Sequence, residues 1–327
     1  MKRAWRMSLL IGWLIAGAVL TSRAQQQDVT YLDPEKAGPD YAIQGEYVGL
    51  LGSEQQRWGC QVIALGDGKF EAVGLRGGLP GDGWERGMDR VVIPGERVGE
   101  HEAVFRNDKV ELRVRDGKMH VRYEGEDVGA LEKVQRKSPT LGAAPPPGAI
   151  VLFDGTSAEN FVRGRIVEGN LLAADCESKQ KFGDHSLHIE FRTPFKPFAR
   201  GQARGNSGVY VQGRYEIQVL DSFGLEGRNN ECGAIYSIRE PSVNMCFPPL
   251  TWQTYDIDFT AARYDDQGNK IKNARITVRH NGVVIIDDFE IPRGTPGKDP
   301  EGPGPGSLYL QGHGNPVVYR NIWVVPK

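Results

Sequence analysis

The chain has 327 residues, enough for two domains and a sizeable core. Its 40 basic and 42 acidic residues leave a net charge of −2, so it carries no electrostatic footprint for nucleic acid. With 42 glycines and 20 prolines it reads as an all-β chain with many turns, not a helical one.

In chain order, residues 1–24 read as a signal peptide. Lys2, Arg3 and Arg6 form a positive start, Ser8 to Leu20 an apolar core, and Ser22-Arg23-Ala24 a plausible cleavage site. The apolar run is short for a spanning helix, and no Cys follows it to carry a lipid anchor. The expected location is therefore outside the cytoplasm, periplasmic or extracellular. Residues 25–40 form a polar leader.

A small β-rich domain of unknown role is expected over residues 41–137. Its short apolar runs are punctuated by Gly66-Asp67-Gly68 and Asp116-Gly117, both hairpin turn signals. Residues 138–148, SPTLGAAPPPG, read as a stiff spacer that leans toward polyproline II. Cys60, Cys176, Cys232 and Cys246 include no CxxC pair, which argues against a structural zinc site. A Cys232–Cys246 bridge and buried free thiols both stay open.

From residue 149 onward, short alternating runs replace any helical period. Leu187, Ile189 and Phe191 alternate with Ser186, His188, Glu190 and Arg192, and Tyr255, Ile257 and Phe259 alternate with Thr254, Asp256 and Asp258. Asn281-Gly282 is a hairpin signal. Residues 205–224, GNSGVYVQGRYEIQVLDSFG, read as one long strand with a buried face. The opposite face carries Tyr210, Gln212, Arg214, Glu216 and Gln218: a carboxylate between a guanidinium and an amide, a mixture suited to sugars. Many short strands argue a β-sandwich, with a jelly roll as the expected form. Residues 293–306, RGTPGKDPEGPGPG, are expected as a loop at the rim of its cleft.

Several motifs recur in order over residues 149–327. They include Leu152-Phe153-Asp154-Gly155, Phe182-Gly183-Asp184-His185, Gly205-Asn206-Ser207-Gly208, Gly213-Arg214-Tyr215-Glu216, Trp252-Gln253-Thr254-Tyr255-Asp256, and Leu310-Gln311-Gly312-His313-Gly314-Asn315-Pro316. In these the chain resembles the 3-keto-disaccharide (3-keto-glycoside) hydrolase family. The resemblance implies a concanavalin-like jelly roll acting on glycosides already oxidised at sugar carbon 3. The ketone acidifies the C2 hydrogen, so a base can start a β-elimination at C1 that water then completes as net hydrolysis. Glu216, His313 and Asp256 are the candidate acid–base residues, and together a candidate site for a divalent cation as electrophile. Arg214, Gln218, Tyr210, Asn206, Gln311 and Trp252 are the candidate substrate binders.

Two other readings compete. One is a retaining β-glucanase-like glycosidase, but Gln218 stands where a second carboxylate would be needed beside Glu216. The other is a non-catalytic carbohydrate-binding module. No Gly-x-Gly-x-x-Gly follows a strand, so neither a nicotinamide nor a flavin site is expected. The ketone would then be supplied by a separate oxidoreductase.

Overall fold

The computed structural model describes residues 29–327, so the signal peptide expected over residues 1–24 lies outside the described residues. Eight strands of the N-terminal half close on themselves. They are β1 (Gly45–Leu51), β2 (Gln56–Gly66), β3 (Lys69–Arg76), β4 (Arg90–Gly99), β5 (Glu102–Arg106), β6 (Val110–Arg115), β7 (Lys118–Tyr123) and β8 (Glu126–Val134). Each pairs with the next, and β1 pairs with β8 to complete the barrel. The turns at Asp67-Gly68 and Asp116-Gly117 take the left-handed angles a tight hairpin needs, with φ of 52°, 67°, 50° and 77°. One parity of each strand, including Tyr47, Val62, Phe70, Phe105 and Met119, points into the interior and packs as one cluster.

The second half is a two-sheet sandwich. Its strands are β9 (Ile150–Phe153), β10 (Phe161–Val162), β11 (Ile166–Val167), β12 (Leu171–Ala173), β13 (Cys176–Phe182), β14 (His185–Arg192), β15 (Ser207–Val211), β16 (Tyr215–Val219), β17 (Gln253–Thr260), β18 (Ala274–His280), β19 (Val283–Ile291), β20 (Gly306–Leu310) and β21 (Val318–Pro326). One sheet runs β11-β12-β21-β14-β17-β18-β19, with β9 also on β21, and the other runs β10-β13-β20-β15-β16. The apolar parities meet between them: Leu187, Ile189, Phe191, Tyr255 and Ile257 from the first, Val209, Val211, Ile217 and Leu310 from the second. Cys60, Cys176, Cys232 and Cys246 are all buried and free, so no disulfide closes the 232–246 loop.

The expected long strand is a hairpin. β15 and β16 pair antiparallel with Val211 opposite Tyr215, and the chain reverses at residues 212–214, where Gln212 and Gly213 have φ of 56° and 67°. Opposed residues in a hairpin point to the same face. The even spacing from 211 to 215 therefore carries the apolar period across the turn without a break.

The two halves pack into one another. Phe195 of the sandwich is fully buried in the barrel's cluster, against the rings of Tyr31 and Tyr41. The leader is thus partly structured, with a short helix at Gly38–Ile43. Ile63, Val73 and Leu75 on the outer parity of β2 and β3 pack with Phe223. Arg204 pairs with Asp221 at 2.6 Å and also donates to the Ala64 carbonyl of the barrel.

The expected spacer is fastened down. Ser138 and Thr254 share a hydroxyl hydrogen bond of 2.6 Å, Thr140 donates to Asp256 at 2.6 Å, and the Gly142 amide donates to Glu190. Trp323 and Asn321 both donate to the Ala143 carbonyl. Beneath this strap His188 lies 2.6 Å from Asp256 and stacks on Trp323, while Arg320 donates to Glu190. Burial opposes ionisation of Glu190, but bonds from His188, Asn321, Gly142 and Arg320 outweigh it and pull its carboxyl down to about 2.

A carboxyl lowered on folding stabilises above its unfolded pKa and loses that stability as pH falls toward the folded value. Glu190→Gln is expected to cost roughly 2–3 kcal/mol at pH 7. In urea unfolding, its deficit against the native protein should shrink as pH drops from about 4.5 toward 2. A deficit that stays constant over that window would contradict the assignment.

Candidate active site

The site is built on the outward face of the five-stranded sheet. Register places Glu177, Tyr309, Tyr210 and Glu216 side by side across β13, β20, β15 and β16. Their neighbours at odd positions 209, 211 and 217 face the core, so this row must face away from it. It is nevertheless covered: Glu216 is only 3% exposed. The 293–306 loop lies over it, with the Pro296 carbonyl accepting from the Tyr210 hydroxyl and Thr295 Oγ1 accepting from the Glu216 backbone amide.

Two glycines make this approach possible. A Cβ on Gly208 would lie 2.4 Å from Glu216 Oε1, and one on Gly297, at φ 119°, would lie 2.4 Å from the Tyr210 oxygen. The carboxylate therefore rests on bare backbone on one side, and the loop closes directly on the tyrosine.

The electrostatics follow from this burial. No ion pair involves Glu216 among the described residues. Burial pushes its carboxyl up to about 7, against the opposing hydrogen bond of 2.7 Å that Tyr210 donates to it. Burial, and then the Glu216 carboxylate, raise Tyr210 far above its ordinary value, so its hydroxyl stays protonated. Gln311 Nε2 donates to the Tyr210 oxygen at 3.0 Å. Gln218 and Asn206 both donate to Gln202 Oε1, at 2.9 and 3.1 Å. Three amide oxygens here, of Gln218, Asn206 and Gln311, are buried with no donor among the described residues. A buried acceptor left unpaired is costly, so the cluster suits a ligand bearing several hydroxyl groups.

Glu216, Tyr210 and Gln311 thus form one hydrogen-bonded set, and Gln218 and Asn206 a second through Gln202 on the same sheet face, while the other candidates fall elsewhere. Asp256 sits on β17, in the opposite sheet, and faces outward under the 138–143 strap. The whole core separates it from Glu216, so the pair cannot act on one sugar or share one cation. Trp252 lies by that same sheet, between the guanidinium groups of Arg320 at 3.9 Å and Arg192 at 5.3 Å. His313 follows β20 in an exposed loop, where its carbonyl accepts from Asn315. Arg214 lies in the hairpin turn and donates to the Gly304 and Pro303 carbonyls, holding the loop instead of lining the carboxylate. No group of three or more His, Cys, Asp or Glu among the described residues could hold a metal ion, so the proposed cation set of Glu216, Asp256 and His313 does not assemble.

Gln202, Thr295 and Tyr309 belong to the site and were not anticipated. Gln202 comes from a single 3-10 turn, Gly201–Ala203, and Thr295 from an irregular loop, and no period marks either. Tyr309 did share the outward parity with Gln311, and that was the available signal.

The sandwich half is similar to solved structures. A 2.13 Å crystal structure of a protein from Parabacteroides distasonis ATCC 8503, provisionally named a glycosyl hydrolase, is 31% identical, with a TM-score of 0.51 over 56% of this chain and 85% of that one. Two more from the same organism, provisionally named likewise, are 18% and 23% identical, with TM-scores of 0.41 and 0.39. Each covers 55% of this chain, and the matches span 94% and 99% of theirs. No curated protein matches the chain. A β-sandwich with a polar, buried carboxylate site and this relative defines a carbohydrate-active enzyme. Residues 148–325, more than half of the chain, match the family described as the 3-keto-alpha-glucoside-1,2-lyase-like domain, and the chain belongs to that family.

A carboxyl raised on folding costs stability once the pH climbs through its folded value. Glu216→Gln should therefore stabilise the protein above pH 7, by roughly 2–3 kcal/mol, with the gain vanishing below about pH 4.5. Because Tyr210 holds the carboxyl down, Tyr210→Phe should move the Glu216 titration above 7. Carbon-13 NMR of the labelled carboxyl reads this directly, and a midpoint near 4.5 in the native protein would contradict the burial argument.

Proposed function

We propose that this enzyme cleaves glycosides that carry a ketone at C3, by elimination across C1 and C2 followed by hydration. The observation that carries the reading is a single buried carboxyl poised near neutral pH, hydrogen-bonded to a tyrosine that stays neutral and ringed by amide oxygens lacking donors. A general base works best with a pKa near the operating pH. The family's own description, a 1,2-lyase of 3-keto-glucosides, supports the same bond choice.

Glu216 takes the C2 proton, and the electron pair moves into the enolate on the C3 oxygen. Once Glu216 is protonated, Tyr210 no longer needs to donate to it, and its hydroxyl is free to meet the developing oxyanion. The enolate then collapses, the C1–O bond breaks, and a C1=C2 double bond forms. The departing oxygen receives the proton from Glu216. Water adds across C1=C2, with hydroxide going to C1 and a proton to C2. Gln218, Asn206 and Gln311 accept hydrogen bonds from sugar hydroxyls. The 293–306 loop lifts to admit the sugar and closes over it.

Direct glycoside hydrolysis is disfavoured by spacing. The nearest carboxylate in the row, Glu177, is three strands from Glu216, roughly 14 Å at about 4.8 Å per strand. A carboxylate pair needs about 5–9.5 Å. Glu177 is also paired with Lys298 at 3.2 Å. We further propose that the protein is exported, as its N-terminal residues suggest, and that a separate oxidoreductase supplies the ketone.

The test is incubation with a 3-keto-glucoside and with its unoxidised parent, following aglycone release. Only the oxidised compound should react. Glu216→Gln should lower kcat about 10³-fold, and kcat/KM should rise with pH to a plateau above about 7. His313→Ala should change kcat less than about twofold, since a residue that meets neither the reacting atoms nor their partners contributes little. Equal turnover of the unoxidised parent, or a fully active Glu216→Gln, would overturn the reading.

A further inference from the structure

The barrel's interior is packed at one end and open at the other. A cavity of about 330 Å³ opens at one end, the end where β1 finishes and β2 begins. Its walls are the inward parities of the strands, and its floor is formed by the buried side chains of Cys60, Met119 and Leu131. The opposite end is shut: Ile43 and Tyr47 are buried there, the Tyr47 hydroxyl donates to the Ile43 carbonyl at 2.6 Å, and Phe195 of the sandwich plugs the same cluster. The result is a cup with one mouth.

Several features say what would fit it. Among the described residues, no charged side chain lines it. Its one thiol, Cys60, is pushed up to about 12 by burial and stays neutral. An apolar cavity does not hold water well, and protein interiors elsewhere pack to crystal density. An eight-stranded barrel is just wide enough to be filled by its own side chains or to hold one small ligand. Here Gly74, on the inward parity of β3, leaves the space a side chain would take. Two aromatic rings, Trp58 and the 45%-exposed Tyr123, stand at the mouth. A continuous wall of paired strands excludes another protein segment from the interior.

We propose that the N-terminal barrel is a binding cup for one uncharged aromatic small molecule, taken in through the mouth beside Trp58 and Tyr123. This site is separate from the Glu216 network and does not depend on the chemistry assigned there. Its volume sits at the low end of small-molecule pockets, so the occupant has two or three rings, not a long chain.

The test uses N-phenyl-1-naphthylamine, a neutral fluorescent probe, titrated into the full-length protein. The expected result is saturable enhancement at one site per chain, with a dissociation constant of about 10 µM, the scale that ligand efficiency allows for this size. Naphthalene should displace the probe and decanoate should not. Gly74→Phe should weaken binding at least tenfold while leaving the far-UV spectrum unchanged. A Cβ there has room, since its nearest neighbours are 3.7 and 4.0 Å away. Val110→Trp, at the mouth on a different strand, should do the same, and Glu216→Gln should bind as the native protein does. As a check that needs no plugged variant, energy transfer from tryptophan to bound probe should fall in Trp58→Phe. No saturable binding would overturn the proposal. So would native affinity in the folded plugging variants, loss of binding in Glu216→Gln, or unchanged energy transfer in Trp58→Phe.

Discussion

A carboxyl group kept out of water, with no cation paired to it among the described residues, is the constraint around which this site is arranged. Ionising Glu216 in that place is unfavourable, and the large apolar core of the sandwich offsets the cost. Its surroundings are specified accordingly. Gly208 leaves room for one carboxylate oxygen, Tyr210 donates to the other, and Thr295 fixes the backbone amide. The loop that supplies Thr295, Pro296 and Gly297 is anchored by Arg214, by a Lys270–Glu301 pair and by Tyr215 donating to Glu301. The sheet thus gives the site its rigid floor and the loop its roof, in keeping with a catalytic constellation that needs both fixed geometry and exclusion of water.

The barrel and the sandwich are held as one packed body. Phe195 is a sandwich residue in the barrel's core, and Arg204 spans from Asp221 to a barrel carbonyl. The strap that leads from the barrel is fastened over the far sheet by hydrogen bonds to Thr254, Asp256, Glu190, Asn321 and Trp323. This docking shuts one end of the barrel and leaves the other open. The N-terminal half is thus packed against the sandwich, not held apart from it.

The sequence carried the strand parities well. Alternation located the core faces of β14, β15, β16 and β17, and turn dipeptides placed three hairpins. The resemblance in ordered motifs supplied the family, and the chemistry proposed for it. Parity, however, says only which residues share a face of one strand. It does not say which sheet that strand joins, and Asp256 alternates as regularly as Glu216 while lying across the core from it. Period also concealed the turn at residues 212–214, because a register that opposes Val211 to Tyr215 preserves it. The strap looked like a free linker because its anchors are single hydroxyls and amides meeting residues far along the chain. Gln202 and Thr295 were invisible for the same reason: their partners are set by tertiary packing, not by local pattern.

Proton bookkeeping at C2 tests the central claim most directly. The protein is incubated with a 3-keto-glucoside in deuterium oxide, and the released sugar is analysed by mass and proton NMR against an enzyme-free control. Elimination and hydration through Glu216 leave one deuterium at C2 of every product molecule, and Glu216→Gln yields almost none. A released sugar that retains its original C2 hydrogen, or labelling that persists in Glu216→Gln, would contradict the account.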